Sequence, residues 1–243
     1  MTSETPILIG LSGPSSSGKS TLSRLLVQLF PHSFILHEDD FYKPESEIPV
    51  VNGVENWDCP EAIDFESLKR ALAYIKENAK LPDDVPYKED KNDLGTPPVT
   101  PDEATSIKEA VIGPDSILEK RLFCLVDGFL LYNDREVTAE LDVRLLLRAP
   151  FEKLKERREA RNGYATLEGF WVDPPGYFED VVWPGYVKAH KGLFEDGHVD
   201  GNLTEDSIRQ GIKAASSLDM HMKDLLAWAL KEIESAVTKK ESN

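Results

Sequence analysis

The stretch GPSSSGKS at residues 13–20 has the spacing GxxxxGK[ST], and its residue types suit the binding of phosphate groups. Gly13 and Gly18 allow backbone conformations in which successive N–H groups point at phosphate oxygens at the start of a helix. Lys19 can place its charge on the β and γ phosphates, and Ser20 can offer its hydroxyl to Mg²⁺. An apolar run precedes the motif and a helical pattern follows it, as the motif requires. The sequence therefore predicts a site for a nucleoside triphosphate with magnesium.

Carboxylates follow two other apolar runs, at positions that would face the phosphates. Glu38, Asp39 and Asp40 follow the run SFILH, and Asp127 ends the run LFCLVD. Because ligands bind outside the carboxyl ends of parallel strands, we expect these side chains near the phosphate loop. A carboxylate there is electrostatically costly unless it holds magnesium or accepts a proton from an attacking hydroxyl. Two other interpretations stay open: a solvated acidic turn for the first three residues, and a strand-end cap for Asp127.

The stretch NWDCPEAIDF at residues 56–65 holds a further acid, Asp58, beside Trp57. Asp58 could accept two hydrogen bonds from a vicinal diol such as that of ribose, or it could cap the helix that follows the Cys-Pro turn. Trp57 and Tyr42 could stack on a flat ring, and contact with a cationic ring is worth about 0.5–2 kcal/mol. Both could equally be ordinary core aromatics. The sequence leaves these alternatives open.

Three arginines are clustered near the end of the basic helix PFEKLKERREAR, residues 150–161. Arg158 and Arg161 share a helix face, and Arg157 and Arg161 are four residues apart. The whole chain has 44 acidic and 28 basic residues and a net charge of −16. In so acidic a chain, the cluster indicates a lid that closes over phosphates and excludes water. A solvated helix face is the alternative.

Four short apolar runs form the scaffold that must position these side chains. Each is apolar on both faces and is separated from the next by helical or mixed sequence, as is typical of buried parallel strands. The runs are ILIGL (7–11), SFILH (33–37), LFCLVDG (122–128) and LDVRLLLRAP (141–150). Helices are predicted from Lys19, over 61–79 and 150–161, from about 205, and over 219–237. The predicted fold class is α/β, with a P-loop NTPase fold: a parallel sheet of about five strands, helices on both faces and a basic lid.

The length of 243 residues and the hydrophobic content of 40% predict a single P-loop kinase domain over residues 1–243. We expect residues 81–118 to be an exposed excursion, because 81–102 hold five of the sixteen prolines. Residues 150–180 are expected to form the lid and substrate region. Residues 238–243 are expected to be a disordered tail.

Composition argues against several classes of partner. The net charge of −16 argues against nucleic acid and against an anionic membrane surface as partners. The N-terminus lacks a signal-peptide pattern, and no apolar run approaches the roughly 20 residues that a bilayer requires. We therefore expect a soluble intracellular protein of the cytoplasm, with the nucleus left open. Cys59 and Cys124 are expected to be thiols, with Cys124 in the core. The five histidines show no zinc-ligand spacing.

Six motifs, in their order along the chain, resemble those of the nicotinamide riboside kinases, and most closely the fungal form. They are GPSSSGKST, EDDFYKP, NWDCPEAIDF, VDGFLLYN, RAPFEKLKERREAR and DPPGYFEDVVWPGY. The resemblance covers about residues 7–203 and places the chain among P-loop nucleoside kinases such as uridine kinase. It implies transfer of the γ-phosphoryl of ATP to the 5′-hydroxyl of nicotinamide riboside, giving nicotinamide mononucleotide for NAD synthesis. Mg²⁺ is the implied cofactor, ATP the co-substrate, and small molecules are the implied partners.

The resemblance also implies roles for individual residues. The catalytic residues would be Asp39, as the base, and Lys19. The magnesium ligands would be Ser20, Asp39 and Asp127. ATP would be bound by Gly13, Pro14, Ser15, Ser16, Ser17, Gly18, Lys19, Ser20 and Thr21, and by the lid residues Arg157, Arg161, Asn162 and Gly163. The riboside would be bound by Asp39, Asp40, Phe41, Tyr42, Trp57, Asp58, Arg158 and Tyr164. Adenine contacts are expected near residues 202–204.

Two features depart from the family pattern. Asp127 stands where family members often have Glu, so its reach to the metal is shorter. The stretch NGYATLEGFWVDPPGYF is longer than in animal forms, so positions between Tyr164 and Pro174 have no reliable counterpart. Two other functions stay open. One is a uridine or cytidine kinase on the same scaffold. The other is an NTP-dependent switch or interaction module that would use residues 81–118 as its partner surface.

Overall fold

Five parallel strands form the central sheet of the computed structural model, which describes residues 5–85, 87, 97–114, 116–161, 163–166 and 169–241. The described strands are β1 (Ile7–Ser12), β2 (Phe34–His37), β3 (Val50–Val51), β4 (Val54–Glu55), β5 (Phe123–Asp127), β6 (Val143–Leu146), β7 (Tyr164–Ala165), β8 (Phe170–Trp171) and β9 (Ile212–Ala214). The strand order in the central sheet is β2-β5-β1-β6-β9, and every neighbouring pair is parallel. Two antiparallel hairpins, β3–β4 and β7–β8, lie outside this sheet.

Helices cover both faces of the sheet, and the predicted α/β fold class is confirmed. The described helices are α1 (Lys19–Leu29), α2 (Phe65–Asn78), α3 (Pro101–Ile112), α4 (Arg135–Glu140), α5 (Phe151–Glu159), α6 (Trp183–His190), α7 (Glu205–Arg209) and α8 (Met222–Glu241). One face of the sheet is packed by α1, α3 and α8, and the other by α2, α4 and α6.

The strands separate the hydrophobic core into two layers. Successive side chains of a strand point to opposite faces, so Ile7, Ile9 and Leu11 of β1 pack with one layer and Leu8 packs with the other. β5 alternates in the same way, and its Cys124 is completely buried as a free thiol, as predicted. Because both faces are covered, the strands read as continuous apolar runs in the sequence.

The predicted excursion over residues 81–118 is wrong for its second half. Helix α3 lies in this range and packs against α1 and α8. Val99, Ala104 and Leu118 are buried in the core layer on that face. The N-cap of α3 is Thr100, which forms a capping box with Glu103 and satisfies backbone N–H groups that would otherwise lack a partner.

The predicted tail over residues 238–243 is wrong as far as residue 241, because α8 continues to Glu241 and buries Val237 in its last turns. Among the helices of the described ranges, none is both long enough and apolar enough to cross a bilayer.

Candidate active site

The phosphate loop connects β1 to α1, as the sequence predicts. Gly13 has a φ of 141°, and a Cβ at this position would lie 2.3 Å from the carbonyl oxygen of Leu147, so a larger residue does not fit. Gly18 has a φ of 97° and forms the N-cap of α1. The N–H of Ser17 donates to the carbonyl of Pro14 at 3.2 Å, which closes the loop. The loop therefore ends at the N-terminus of an 11-residue helix, where backbone N–H groups can bind anions.

Lys19 lies inside the loop with its ammonium group close to carboxylates. Its Nζ donates to the carbonyl of Pro14 at 3.0 Å, and the side chain is buried. Burial lowers the pKa of Lys19, and the negative charges of Asp127 and Asp39 oppose that effect. The ammonium group thus lies in the phosphate loop, where the charges of the two predicted acids act on it.

Asp127, at the carboxyl end of β5, is the buried acid of the predicted magnesium site. Burial by itself would raise its pKa, but His37, Lys19 and the hydroxyl of Ser20 hold the pKa of Asp127 below its usual value. Nδ1 of His37 is 3.2 Å from Oδ2 of Asp127. An ionised carboxylate, a hydroxyl and the half-buried Asp39 form an oxygen-rich set that fits Mg²⁺.

Magnesium bound here would need further oxygen ligands. Within the described ranges, no group of three or more His, Cys, Asp or Glu side chains is arranged to hold a metal by itself. Mg²⁺ is commonly held by one or two carboxylates together with substrate phosphates and water. Ser20, Asp39 and Asp127 are the residues that would hold it.

The acidic stretch after β2 is a single turn of 3₁₀-helix, Glu38–Phe41, whose acids point to different places. Glu38 is completely buried, and its Oε2 accepts a hydrogen bond from the N–H of Leu130 at 2.9 Å. Asp40 is 3% exposed and lines a cavity along α2, together with Tyr42. Phe41 packs in the core. The interpretation as a solvated acidic turn is therefore wrong, and the side chains of Asp40 and Phe41 do not share the position of Asp39 beside Lys19.

Glu38 gives this turn a pH-dependent stability. Burial raises its pKa to about 8, from an ordinary value of 4.5. Below about pH 4.5 Glu38 is protonated in the folded and the unfolded chain. Above that pH the unfolded chain ionises first, so stability is lost progressively until about pH 8. We expect Glu38→Gln to remove this loss and to flatten the melting temperature between pH 5 and pH 9. The control is Glu47→Gln, at an exposed glutamate shortly after the turn. If the melting temperature changed with pH equally in both variants, the prediction would be contradicted.

Asp58 does not cap a helix. The N-cap of α2 is Asp64, whose side chain accepts a hydrogen bond from the N–H of Ser67 at 3.0 Å. Asp58 instead forms a bidentate ion pair with Arg158, in which Nη1 and Nη2 donate to Oδ1 and Oδ2 at 2.9 Å each. Both side chains are 6% exposed. The pair joins the NWD segment to α5, 100 residues further along the chain.

Aromatic rings line the space beside Asp58. Tyr42 meets Trp57 edge to face, with ring centroids 5.4 Å apart, and Trp171 lies 6.0 Å from Trp57 on another side. The ring of Tyr164 lies under the guanidinium of Arg158 at 4.8 Å. Trp57 also packs in a small hydrophobic cluster apart from the two core layers, so part of its ring is already covered. A flat ligand ring would find several aromatic neighbours here.

The arginines of α5 meet the phosphate loop. Nη1 of Arg157 donates to the carbonyl of Ser16 at 3.2 Å, and Nη1 of Arg158 donates to Oγ of Ser15 at 2.9 Å. Just after the helix, the guanidinium of Arg161 lies 5.3 Å from the ring centroid of Tyr164. A solvated helix face is therefore the wrong interpretation for Arg158. Another predicted lid residue, Asn162, lies outside the described residues.

Gly163 connects α5 to the β7–β8 hairpin in a conformation that favours glycine. It has a φ of 131°, and a Cβ there would lie 2.4 Å from the carbonyl oxygen of Trp171. The hairpin therefore packs directly over this position.

A cavity of about 420 Å³ opens beside the phosphate loop. The phosphate loop forms one side of it together with Arg157 and Arg161, and the loop over residues 218–222 forms another. The sequence does not signal this second loop, and it predicts adenine contacts near residues 202–204 instead. In the structure Thr204 caps α7, and the side chain of Asn202 bonds Glu195.

Two yeast proteins with similar sequences are both described as nicotinamide riboside kinases. No protein-family model matches the chain. It is 44% identical over 231 residues to a nicotinamide riboside kinase of Schizosaccharomyces pombe, and the match covers 95% of this chain and 97% of the relative. A nicotinamide riboside kinase of Saccharomyces cerevisiae is 37% identical, with 96% and 98% covered. A solved structure described as a possible uridine kinase from Bacillus stearothermophilus is 15% identical, with a TM-score of 0.47 over 88% of this chain and 90% of that one.

Proposed function

The chain belongs to the nicotinamide riboside kinase family, and on that premise we propose that it transfers the γ-phosphoryl group of ATP to the 5′-hydroxyl of nicotinamide riboside. The product would be nicotinamide mononucleotide, a precursor of NAD. The observation that carries the proposal is the Asp58–Arg158 ion pair, because the same guanidinium bonds the carboxylate of Asp58 and the hydroxyl of Ser15 in the phosphate loop. A nucleotide site and an acceptor site would therefore share one arginine.

Each substrate has a place in this arrangement. The triphosphate would lie on the backbone N–H groups of the loop, with Lys19 and the lid arginines around it and the adenine towards residues 218–222. The riboside would place its diol on Asp58 and its ring among Tyr42, Trp57 and Tyr164. The nicotinamide ring of the riboside is a permanent cation, and its cation–π contact with an aromatic side chain is worth about 0.5–2 kcal/mol. Neutral uridine would gain stacking without the charge contribution.

The chemical step would rely mainly on positioning and charge. Asp39 accepts the proton of the 5′-hydroxyl as that oxygen attacks the γ phosphorus. Lys19 and the arginines of α5 stabilise negative charge on the transferring group, and the burial of Lys19 and Arg158 strengthens that interaction. Bound Mg²⁺ would neutralise charge on the β and γ phosphates. We place the reaction in the cytoplasm, with ATP and nicotinamide riboside as small-molecule partners.

A substrate panel tests the proposal. Purified protein is incubated with Mg-ATP and either nicotinamide riboside, uridine or cytidine, and ADP release is measured. We expect kcat/KM to be highest for nicotinamide riboside, by roughly tenfold if the cation–π difference approaches 1.4 kcal/mol. A preference for uridine or cytidine would replace the proposal with a pyrimidine nucleoside kinase. Turnover that needs no nucleoside would favour an NTP-dependent switch.

Asp58→Ala tests the acceptor pocket. We expect KM for nicotinamide riboside to rise about 10- to 100-fold with a smaller change in kcat, because two hydrogen bonds to a charged group are lost. The matched control is Asp64→Ala, which removes the actual N-cap of α2. That control should lower stability by about 1 kcal/mol and leave KM unchanged. An unchanged KM for nicotinamide riboside in Asp58→Ala would show that Asp58 does not bind the ribose diol.

A further inference from the structure

Asp173, in the loop after β8, holds the arginine that joins the two sites. Its Oδ2 accepts a hydrogen bond from Nε of Arg158 at 2.6 Å, and its Oδ1 accepts one from Nη2 at 3.2 Å. Oδ1 also accepts from the indole Nε1 of Trp171 at 2.8 Å. The side chain of Asp173 is 20% exposed. Asp173 is the first residue of the motif DPPGYFEDVVWPGY, within the longer stretch NGYATLEGFWVDPPGYF.

All five N–H donors of the Arg158 guanidinium are engaged in this arrangement. One of the Nη1 donors binds Ser15 and the other binds Asp58. One of the Nη2 donors binds Asp58 and the other binds Asp173, and Nε also binds Asp173. Hydrogen bonding between Arg158 and a ligand therefore requires that one of these three residues release a donor.

The acceptor and Arg158 would both bind the carboxylate of Asp58. Each carboxylate oxygen of Asp58 already accepts one hydrogen bond from Arg158 and keeps a further lone pair. A diol can therefore share the carboxylate with Arg158, and a diol that displaces one of those bonds frees a donor on the Nη1 and Nη2 side of the guanidinium. The Nε side faces Asp173 instead. The bonds to Asp173 therefore hold the arginine in place while the other side turns to the ligand.

We propose that Asp173 is a positioning residue for the acceptor, which it serves by anchoring Arg158 through Nε and Nη2. Trp171 fixes the carboxylate by its hydrogen bond, and its ring packs against Trp57, the neighbour of Asp58 in the chain. The hairpin β7–β8 thus reaches the acceptor wall by a ring contact, and the loop after it reaches the shared arginine by an ion pair. The identity of the acceptor rests on the proposed function, whereas the anchoring of Arg158 does not.

Asp173→Asn tests the proposal with little change in shape. The amide keeps an oxygen for Trp171 but loses the charge and one of the two acceptors for Arg158. We expect KM for nicotinamide riboside to rise about tenfold, kcat to fall less than threefold, and KM for ATP to stay the same. Asp173→Glu, which restores the charge, should recover part of the loss. The matched control is Asp180→Asn, which removes an exposed carboxylate from the same region and should behave as wild type.

A double-mutant cycle decides whether the two acids act through the same arginine. We expect Asp58→Ala combined with Asp173→Asn to raise KM for the riboside by less than the product of the single effects. Full multiplicativity would overturn the proposal. Asp173→Asn kinetics equal to those of Asp180→Asn would overturn it as well. So would a rise of both KM values together with a lower melting temperature, since that result indicates a merely structural role.

The outcome is separable from that of the substrate panel. Wild-type protein that prefers another nucleoside refutes nicotinamide riboside as acceptor, and the KM comparison is then made with the preferred nucleoside. Wild-type protein that prefers nicotinamide riboside while Asp173→Asn leaves its KM unchanged refutes the role of Asp173 alone.

Discussion

Alanine at position 39 is expected to lower kcat for nicotinamide riboside by about a thousandfold and to leave ATP binding intact. A positioned general base contributes typically 10²- to 10⁴-fold to a rate. Asp39 lies on the turn after β2, and its charge acts on Lys19 inside the phosphate loop. The two neighbouring acids do not share this position. Glu38 accepts a hydrogen bond from the N–H of Leu130, and Asp40 lines the cavity along α2.

The measurement is a pair of titrations on the same variant. Steady-state ADP release gives kcat, and calorimetry with ATP and magnesium gives the nucleotide affinity. We expect a loss of kcat with an ATP Kd within about threefold of wild type, since the backbone of the phosphate loop is untouched and Ser20 and Asp127 would still hold magnesium. The charge control is Glu47→Gln, which removes an exposed carboxylate beyond the turn and should keep wild-type kcat. A near-wild-type kcat in Asp39→Ala would show that Asp39 is not the general base.

The central sheet is largely predictable from the sequence because its strands are covered on both faces. Four strands appear as apolar runs, and the phosphate loop identifies the first of them. The fifth strand, β9, is only three residues long and carries the exposed Lys213, so it produces no run. Without a signal for β9, the sequence also gives no signal for the loop that follows its carboxyl end. That loop lies beside the phosphate loop.

Helix α3 shows a different limit. Its sequence is polar and follows a proline-rich stretch, and these features favour an exposed excursion. The capping box between Thr100 and Glu103, with Pro101 at the first helical position, is a readable signal for a helix start. In this region the short motif is a better guide than the composition, because it has a direct physical meaning.

The contacts of the acceptor pocket lie beyond local patterns. Asp58 and Arg158 are 100 residues apart, and each has a simpler local explanation, as a helix cap and as part of a solvated helix face. Their pairing follows from how α5 lies against the NWD segment in three dimensions. Asp173 opens the motif DPPGYFEDVVWPGY, but the motif does not indicate which residue it contacts, and the proposed role of Asp173 comes from its contact with Arg158.

Lys19→Met is expected to lower kcat/KM by about 10²- to 10³-fold, because one preorganised charge at the transferring phosphoryl is lost. Methionine keeps an unbranched side chain of similar length, so the loop can keep its backbone conformation around Gly13 and Gly18. We therefore expect the melting temperature to change little, although a buried ammonium that attracts Asp127 and Asp39 is removed. A lower rate with an intact fold is the signature of lost charge stabilisation rather than of a damaged loop.

The matched control for Lys19→Met is Lys155→Met, which removes a lysine that pairs with Glu179 on the outside of α5. Surface ion pairs contribute about 0–1 kcal/mol, so this variant should keep wild-type kinetics and nearly wild-type stability. Lys19→Arg adds a further test, because a planar guanidinium does not reproduce the point charge of an ammonium group at the same place. We expect Lys19→Arg to stay at least tenfold below wild type. Full activity in Lys19→Met would show that the arginines of α5 alone provide the charge for phosphoryl transfer. The role of Lys19 would then be confined to closing the phosphate loop, where its Nζ donates to the carbonyl of Pro14.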